Sequence, residues 1–395
     1  MSAPPGGRRG FLRSACRHCV GLGSLGLGLS AGAQENAGSN QIPARFSRPA
    51  LDTDEGGLWA MMEREETKLR RSSFVMRDEA LGTYLQDLIC RLGGEHCPDI
   101  RVHVVRSPHF NASMAPNGMM QVWSGLLLRV ENEAQLAAVL GHELGHYLER
   151  HTLERLRDMK NRAAFGQFLG MFGLVGALAQ LGVLATMFAF SREQEQRADR
   201  FGIKLMQRAG YDGTQAAQVW DNLLGEMRIT GGEDVGKRSL MFATHPPAGN
   251  RRDELLQLAG SSGGQLRTAP LQRVIAPHRL DWLGDEIRRG QYEESLVLFG
   301  RMLEANPGDA QVLFARGEAL RLRDAPGDLD LALNDLARAT AAEGAPADAY
   351  RALGLVHQRR SDTEAAGAAF KKYLVAAPQS ADASLIRTYL QEQKP

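Results

Sequence analysis

GHELGHYLERH, residues 141–151, holds three histidines and two glutamates in eleven positions. Residues four apart on a helix share a face, so His142 and His146 can reach one metal ion if this stretch is helical. Glu143 then lies beside the ion, where a carboxylate takes a proton from metal-bound water. The surrounding AQLAAVLGHELGHYLERHTLERLRDM (134–159) predicts one long helix, with apolar Leu136, Val139, Leu140 and Leu144. Five positions on from His146, His151 turns away from the metal face and caps or packs the helix end. The extended HExxHxxGxxH form needs glycine at 149 and histidine at 152. Glu149 and Thr152 stand there, which excludes that class.

Two histidines and a base do not complete a metal site. The next candidate segment is SREQEQRADRFGIKLMQRAG (191–210), which reads as a helix stopped at Gly210. It offers Glu193, Glu195 and Asp199. Glu195 and Asp199 are four apart and share a face, which suits a carboxylate ligand with a second acid that fixes an imidazole. Spacing alone does not choose among the three acids.

Upstream, Asp54 to Leu92 has a helical pattern. IRVHVV (100–105) alternates and is rich in branched residues, so it reads as a strand. MMQVWSGLL (119–127) reads as a second strand after the turn signal Ala115-Pro116-Asn117-Gly118. Between the two motif helices lies AAFGQFLGMFGLVGALAQLGVLATMFAF (163–190), 28 residues without a charge. That is long enough to span a bilayer. A single span would put its flanks on opposite faces and split the site. Buried helices, or a hairpin in peripheral contact with a membrane surface, are therefore expected.

The N-terminus pairs a basic start, GGRRGFLR (6–13), with apolar VGLGSLGLGLSAGA (20–33) and an Ala31-Gly32-Ala33 cleavage signal. Residues 1–33 are expected to be a cleaved export signal, with Arg8-Arg9 and Phe11-Leu12 favouring the twin-arginine type. The location implied is the periplasm. Removing this segment leaves Cys90 and Cys97, whose short separation around two glycines suggests a disulfide in an exported chain. Residues 34–50 read as extended. A formal net charge of +1 gives no footprint for a nucleic-acid partner.

Residues 258–275 contain a Gly/Ser cluster and read as a linker. Beyond it, GQYEESLVLFGRMLEANPGD (290–309) and AYRALGLVHQRRSDTEAAGAAFKKYLVAAPQS (349–380) repeat one helical logic. Pro307 and Pro378 are 71 positions apart, against about 68 for two tetratricopeptide periods. The tail at 276–395 resembles a short tetratricopeptide array with a degenerate middle unit.

GHELGHYLERH, SREQEQRADRFG and FATHPPAGNR (242–251) occur in one order. Together they resemble the HtpX/CAAX-prenyl-protease family of zinc metallopeptidases. Ser191, Arg192, Glu195, Ala198, Asp199 and Gly202 match one family motif, and Thr244, His245, Pro246 and Arg251 another. The exported, repeat-tailed layout resembles the periplasmic BepA-like protease-chaperones. The resemblance implies an α+β zincin-type metallopeptidase domain at 51–257, mostly helical with a small sheet, followed by the all-α repeat domain. It implies one zinc ion held by His142, His146 and Glu195, with Glu143 as base and Asp199 and Arg251 behind the ligands. His245 is implied near the metal, steadying an oxyanion or capping the zinc. NASMAPNGMMQVWSGLL (111–127) resembles the family strand that lines the cleft. Arg197 departs from the glutamate common in relatives, and is expected to tune only the surface.

The function so implied is a zinc endopeptidase acting on misfolded or stalled envelope proteins, its repeats recruiting substrate or outer-membrane assembly machinery. A different class of function is a chaperone or assembly factor with proteolysis secondary. A third is a membrane-embedded protease, which needs residues 163–190 to span.

Overall fold

The computed structural model describes residues 42–160, 190–231, 241, 245, 250–261 and 263–392. The expected signal segment, residues 34–41, the apolar stretch up to 189 and most of FATHPPAGNR lie outside the described residues. Among those described, no helix is long and apolar enough to cross a membrane.

The N-terminal region is two helices, broken where their caps dictate. Helix α1 (Asp54–Arg71) starts at Thr53, whose side chain accepts from Gly56 N, and ends at Ser72. A short strand β1 (Val75–Met76) follows, and Asp78 caps α2 (Glu79–Gly93) by accepting from Leu81 N. A tight 3-10 turn over Gly94–Asp99 leads to β2 (Arg101–Val105). A disulfide between Cys90 and Cys97 closes that turn, with Cα atoms 4.6 Å apart.

The sheet has the order β1-β2-β4-β3, with β3 at Ala112–Met114 and β4 at Met119–Trp123. Strands β2 and β4 are parallel and β3 pairs antiparallel with β4. The Ala115–Gly118 turn joins the hairpin. Gly118 sits at φ +85 with Asp99 O only 2.1 Å from where a Cβ would be, so glycine is required there. Trp123 N donates to Asn111 O and Ala115 N donates to Met119 O. By the antiparallel alternation, Ala112 and Met114 then turn their backbone groups to the edge of the sheet that has no strand partner among the described residues.

The strand expected over 119–127 stops at Trp123, and Ser124–Arg129 forms helix α3. Ser124 Oγ bonds both Ser107 N and Ser107 O, fixing the turn. Helix α4 (Glu133–Leu148) is capped by Asn132 and buried along its whole length. The single helix expected over 134–159 is in fact two. Arg150 adopts φ +57, the left-handed region, and α5 (His151–Lys160) begins immediately after it.

Helix α6 (Arg192–Arg208) opens on a capping box, with Ser191 and Gln194 bonding each other's backbone. It crosses α4 at backbone contact. A Cβ on Gly145 would lie 2.8 Å from Ala198 O, and one on Gly202 2.9 Å from His142 N. Helices α7 (Gln215–Gly231) and α8 (Arg251–Ala259) pack on this pair.

Of the expected linker 258–275, residues 268–275 are helical and begin α9 (Thr268–Arg288). Residues 258–259 end α8, and between the two helices Gln265 bridges to Tyr211 and Leu266 O accepts from Ala134 N. Then come α10 (Tyr292–Ala305), α11 (Ala310–Arg323), α12 (Asp328–Ala341), α13 (Ala347–Arg359), α14 (Thr363–Ala376) and α15 (Ala383–Glu392). Neighbours pack in sequence order, α11 on α12 and α13 on α14 most extensively. Buried Arg129 of α3 bonds Glu226 of α7 at 2.7 Å and Glu286 of α9 at 2.9 Å. This charged knot ties the C-terminal helices to the rest, and the described residues from 43 onward pack as one unit.

Candidate metal centre

The close crossing of α4 and α6 sets the site. His142, Glu143 and His146 come from α4, Glu195 and Asp199 from α6, and Arg251 from the first turn of α8. His245 enters from between α7 and α8. All seven side chains are buried.

His142, His146, Glu195 and His245 form a candidate metal group, each offering one ligand atom to a common point. The two Nε2 atoms of His142 and His146 are 3.0 Å apart. Glu195 Oε2 is 3.4 Å from His142 Nε2, and Glu195 Oε1 is 3.4 Å from His146 Nε2. His245 Nδ1 is 2.8 Å from Glu195 Oε1 and 3.2 Å from His142 Nε2. A tetrahedral ion with bonds of about 2.0–2.1 Å has ligand-to-ligand edges of about 3.3 Å, so the donor set fits such an ion. Glu143 Oε1 is also buried with no hydrogen-bond partner among the described residues, a costly state that a bound cation or water would relieve.

The electrostatics fit the same reading. Burial opposes charge on Glu195, yet His245, His142 and His146 hold its carboxyl well below the usual range. Burial likewise works against a charged His142, but hydrogen bonds to Asp199 and Glu195 outweigh it and lift the imidazole to about 9. Burial pushes His146 well down. It pushes the Glu143 carboxyl up, against the opposing pull of His245 and His142. A carboxylate raised by burial is a better proton acceptor than an exposed one.

Asp199 Oδ1 lies 2.8 Å from His142 Nδ1 and fixes the ring from behind. Arg251 donates to the same oxygen at 2.7 Å, reaches Glu195 Oε2 at 3.2 Å, and lies 4.0 Å over the Trp220 ring. Of the three acids that spacing left open, Glu195 and Asp199 face α4, whereas Glu193 is exposed. Glu143 Oε1 stands 3.5 Å from His245 Nε2. Its carboxyl is also reached by the backbone N–H of Met114 on the edge strand β3.

One expectation is sharpened and one is overturned. His151 is not among the candidate ligands and packs at the end of α4, but it does so against His146 itself. The break at Arg150 resets the helical phase, and His151 Nδ1 lies 2.9 Å from His146 Nδ1. Arg197 is not confined to the surface, since its Nε donates to His151 Nε2 at 3.1 Å. Phe190, which no spacing argument singles out, stacks on His146 at 3.9 Å. A non-glycine residue in the left-handed region leaves no signal in the sequence.

Comparisons with known proteins agree with the geometry. Residues 76–259 match the model of peptidase family M48. The chain is 34% identical over 158 residues to the mitochondrial metalloendopeptidase OMA1 of Arabidopsis thaliana, covering 40% of this chain and 31% of that protein. It is 30% identical over 269 residues to the beta-barrel assembly-enhancing protease of Escherichia coli (strain K12), covering 60% of this chain and 54% of that one. The chain thus spans about half or less of the length of these relatives. With its buried His142, His146, Glu195 and His245 at one point, the segment 76–259 belongs to peptidase family M48, a family of metalloendopeptidases.

Proposed function

We propose that this chain is a periplasmic zinc endopeptidase that cleaves misfolded or stalled envelope proteins. The observation that carries the reading is the convergence of two imidazoles and a carboxylate beside a buried, unpartnered Glu143 Oε1. Histidine and carboxylate donors in a tetrahedral arrangement suit zinc. His142, His146 and Glu195 would hold it, and bound zinc supplies a Lewis acid and a water of lowered pKa. Asp199 and Arg251 orient His142 and Glu195. Glu143 takes the proton of the attacking water and returns it to the leaving amine. The edge of β3, which has no strand partner among the described residues and lies beside Glu143, suits an extended substrate backbone added as a further strand.

His245 serves two roles in this reading. Its Nδ1 stands among the ligand atoms, which suits a resting state with His245 as cap. Displaced by substrate, it would face the developing oxyanion. The C-terminal helices, read as tetratricopeptide-like pairs, would recruit substrate or outer-membrane assembly machinery. The E. coli relative is named as a beta-barrel assembly-enhancing protease, which supports an assembly contribution beside the proteolysis. It also favours a second reading, in which assembly or chaperone work dominates.

The test is Glu143→Gln. Metal content should stay at one zinc per chain, while casein cleavage falls by about 100-fold or more. A variant with full activity overturns the peptidase reading. Restoration of envelope integrity by the same variant in a deletion strain would select the assembly reading.

A further inference from the structure

The two imidazoles at the centre are braced in different ways. His142 Nδ1 faces the Asp199 carboxylate, which only accepts. His146 Nδ1 faces another imidazole, His151, at 2.9 Å. An imidazole either donates or accepts at a given nitrogen, so this brace has a direction. His151 is fully buried, at 0% exposure, and lies where the left-handed Arg150 returns the chain toward α4. A non-glycine residue in that region is strained, and such strain collects at functional sites.

The far nitrogen of His151 has two neighbours of opposite character. Arg197 Nε lies 3.1 Å from His151 Nε2 and can only donate. Glu149 Oε2 lies 4.0 Å from the same nitrogen and can only accept. Arg197 is itself held by Glu154 at 2.6 Å, with Glu149 3.6 Å away.

Follow the protons. While Arg197 donates to His151 Nε2, the neutral His151 carries its proton on Nδ1 and donates it to His146 Nδ1. His146 then carries its own proton on Nε2, the nitrogen that faces Glu195 and His142, and has no lone pair there for a metal. For His146 to ligate through Nε2, its proton must sit on Nδ1 and be donated to His151 Nδ1. His151 then carries its proton on Nε2 and needs an acceptor, and the Glu149 carboxylate, 4.0 Å away, would have to close on it. Each ring holds one proton in both arrangements, so the exchange changes tautomers and not charge.

The geometry points to His151 as a positioning residue whose hydrogen-bond direction sets whether His146 can ligate, with Arg197 holding the non-ligating direction and Glu149 the ligating one. This rests on the reading of His146 as a ligand. Partners of this kind behind a metal-bound histidine shift metal affinity by about 10–100-fold when altered.

The experiment measures zinc affinity of the full chain by competition with a chromophoric chelator. Arg197→Leu should bind zinc about 10-fold more tightly and Glu149→Leu about 10-fold more weakly. Glu149→Gln keeps an acceptor oxygen without the charge, and should stay within about 3-fold of wild type. Equal weakening by Glu149→Gln and Glu149→Leu would show that charge alone acts, and overturns the proposal. So does an Arg197→Leu affinity equal to or weaker than wild type. A second readout is nitrogen-15 NMR of the histidine rings in metal-free protein. His146 should be protonated at Nε2 in wild type and shift toward Nδ1 in Arg197→Leu, while Nδ1 protonation already in wild type overturns the idea. His146→Ala separates the two readings. If it leaves zinc binding intact, the metal-site assignment has failed rather than the relay.

Discussion

Glycine brings helices together in both halves of this molecule, but what it meets there differs. At the α4–α6 crossing, Gly141, Gly145 and Gly202 face backbone, with the nearest atoms in Ala198, Gly202 and His142. In the C-terminal hairpins glycine faces side chains, Gly317 against Leu336 and Gly354 against the Phe370 ring. Backbone has nowhere to go, whereas a side chain turns. The first crossing therefore fixes the spacing of Glu195 and Asp199 to His142 and His146. The second kind sets only how closely two helices lie.

The contrast makes a graded series. Gly145→Ala should have the largest effect. Its Cβ would sit 2.8 Å from Ala198 O and 2.9 Å from Ala198 Cα, and overpacking of this kind costs about 3 kcal/mol. Because α6 carries Glu195, zinc per chain should fall with stability, as thermal melts and metal analysis would show. A variant with normal metal content would break the comparison. Gly354→Ala should cost less, about 1–2 kcal/mol, since the Phe370 ring at 2.5 Å can shift. Its metal content should be unchanged. Gly300→Ala, in α10 with open space around the added carbon, should stabilise by about 0.5–1 kcal/mol through helix propensity alone. Its melting temperature should rise without any change in activity.

The same contrast explains what the sequence allowed to be read. His142, Glu143 and His146 are one turn of helix, and local periodicity is enough to place them together. Glu195 and Asp199 were legible as a pair on a face, but choosing them needed the family resemblance, because no local rule says which face meets α4. Gly145 and Gly202 carry that information, yet a helical glycine shows its partner only once the helices have packed. The contact of His151 with His146 was not legible, because five positions along an unbroken helix point elsewhere. The left-handed turn at Arg150 cancels that phase, and nothing about an arginine announces it. Arg197 was expected only at the surface, and its bond to His151 appears only once α5 and α6 are packed. The strand ending at Trp123 was overrun for a similar reason. Gly125 lies against Pro108 O, 2.2 Å from where a Cβ would be, and that contact exists only in three dimensions.

The placement of the ligand atoms also bears on how the chain comes of age. His142 and His245 meet across 103 positions, so no short fragment holds the whole donor set. A nascent or collapsed chain presents only the paired histidines of α4, and full donor strength waits for α6 to seat against its glycines. The proposed hydrolysis is thereby confined to copies that have already folded, and a misfolded copy stays inert toward its neighbours.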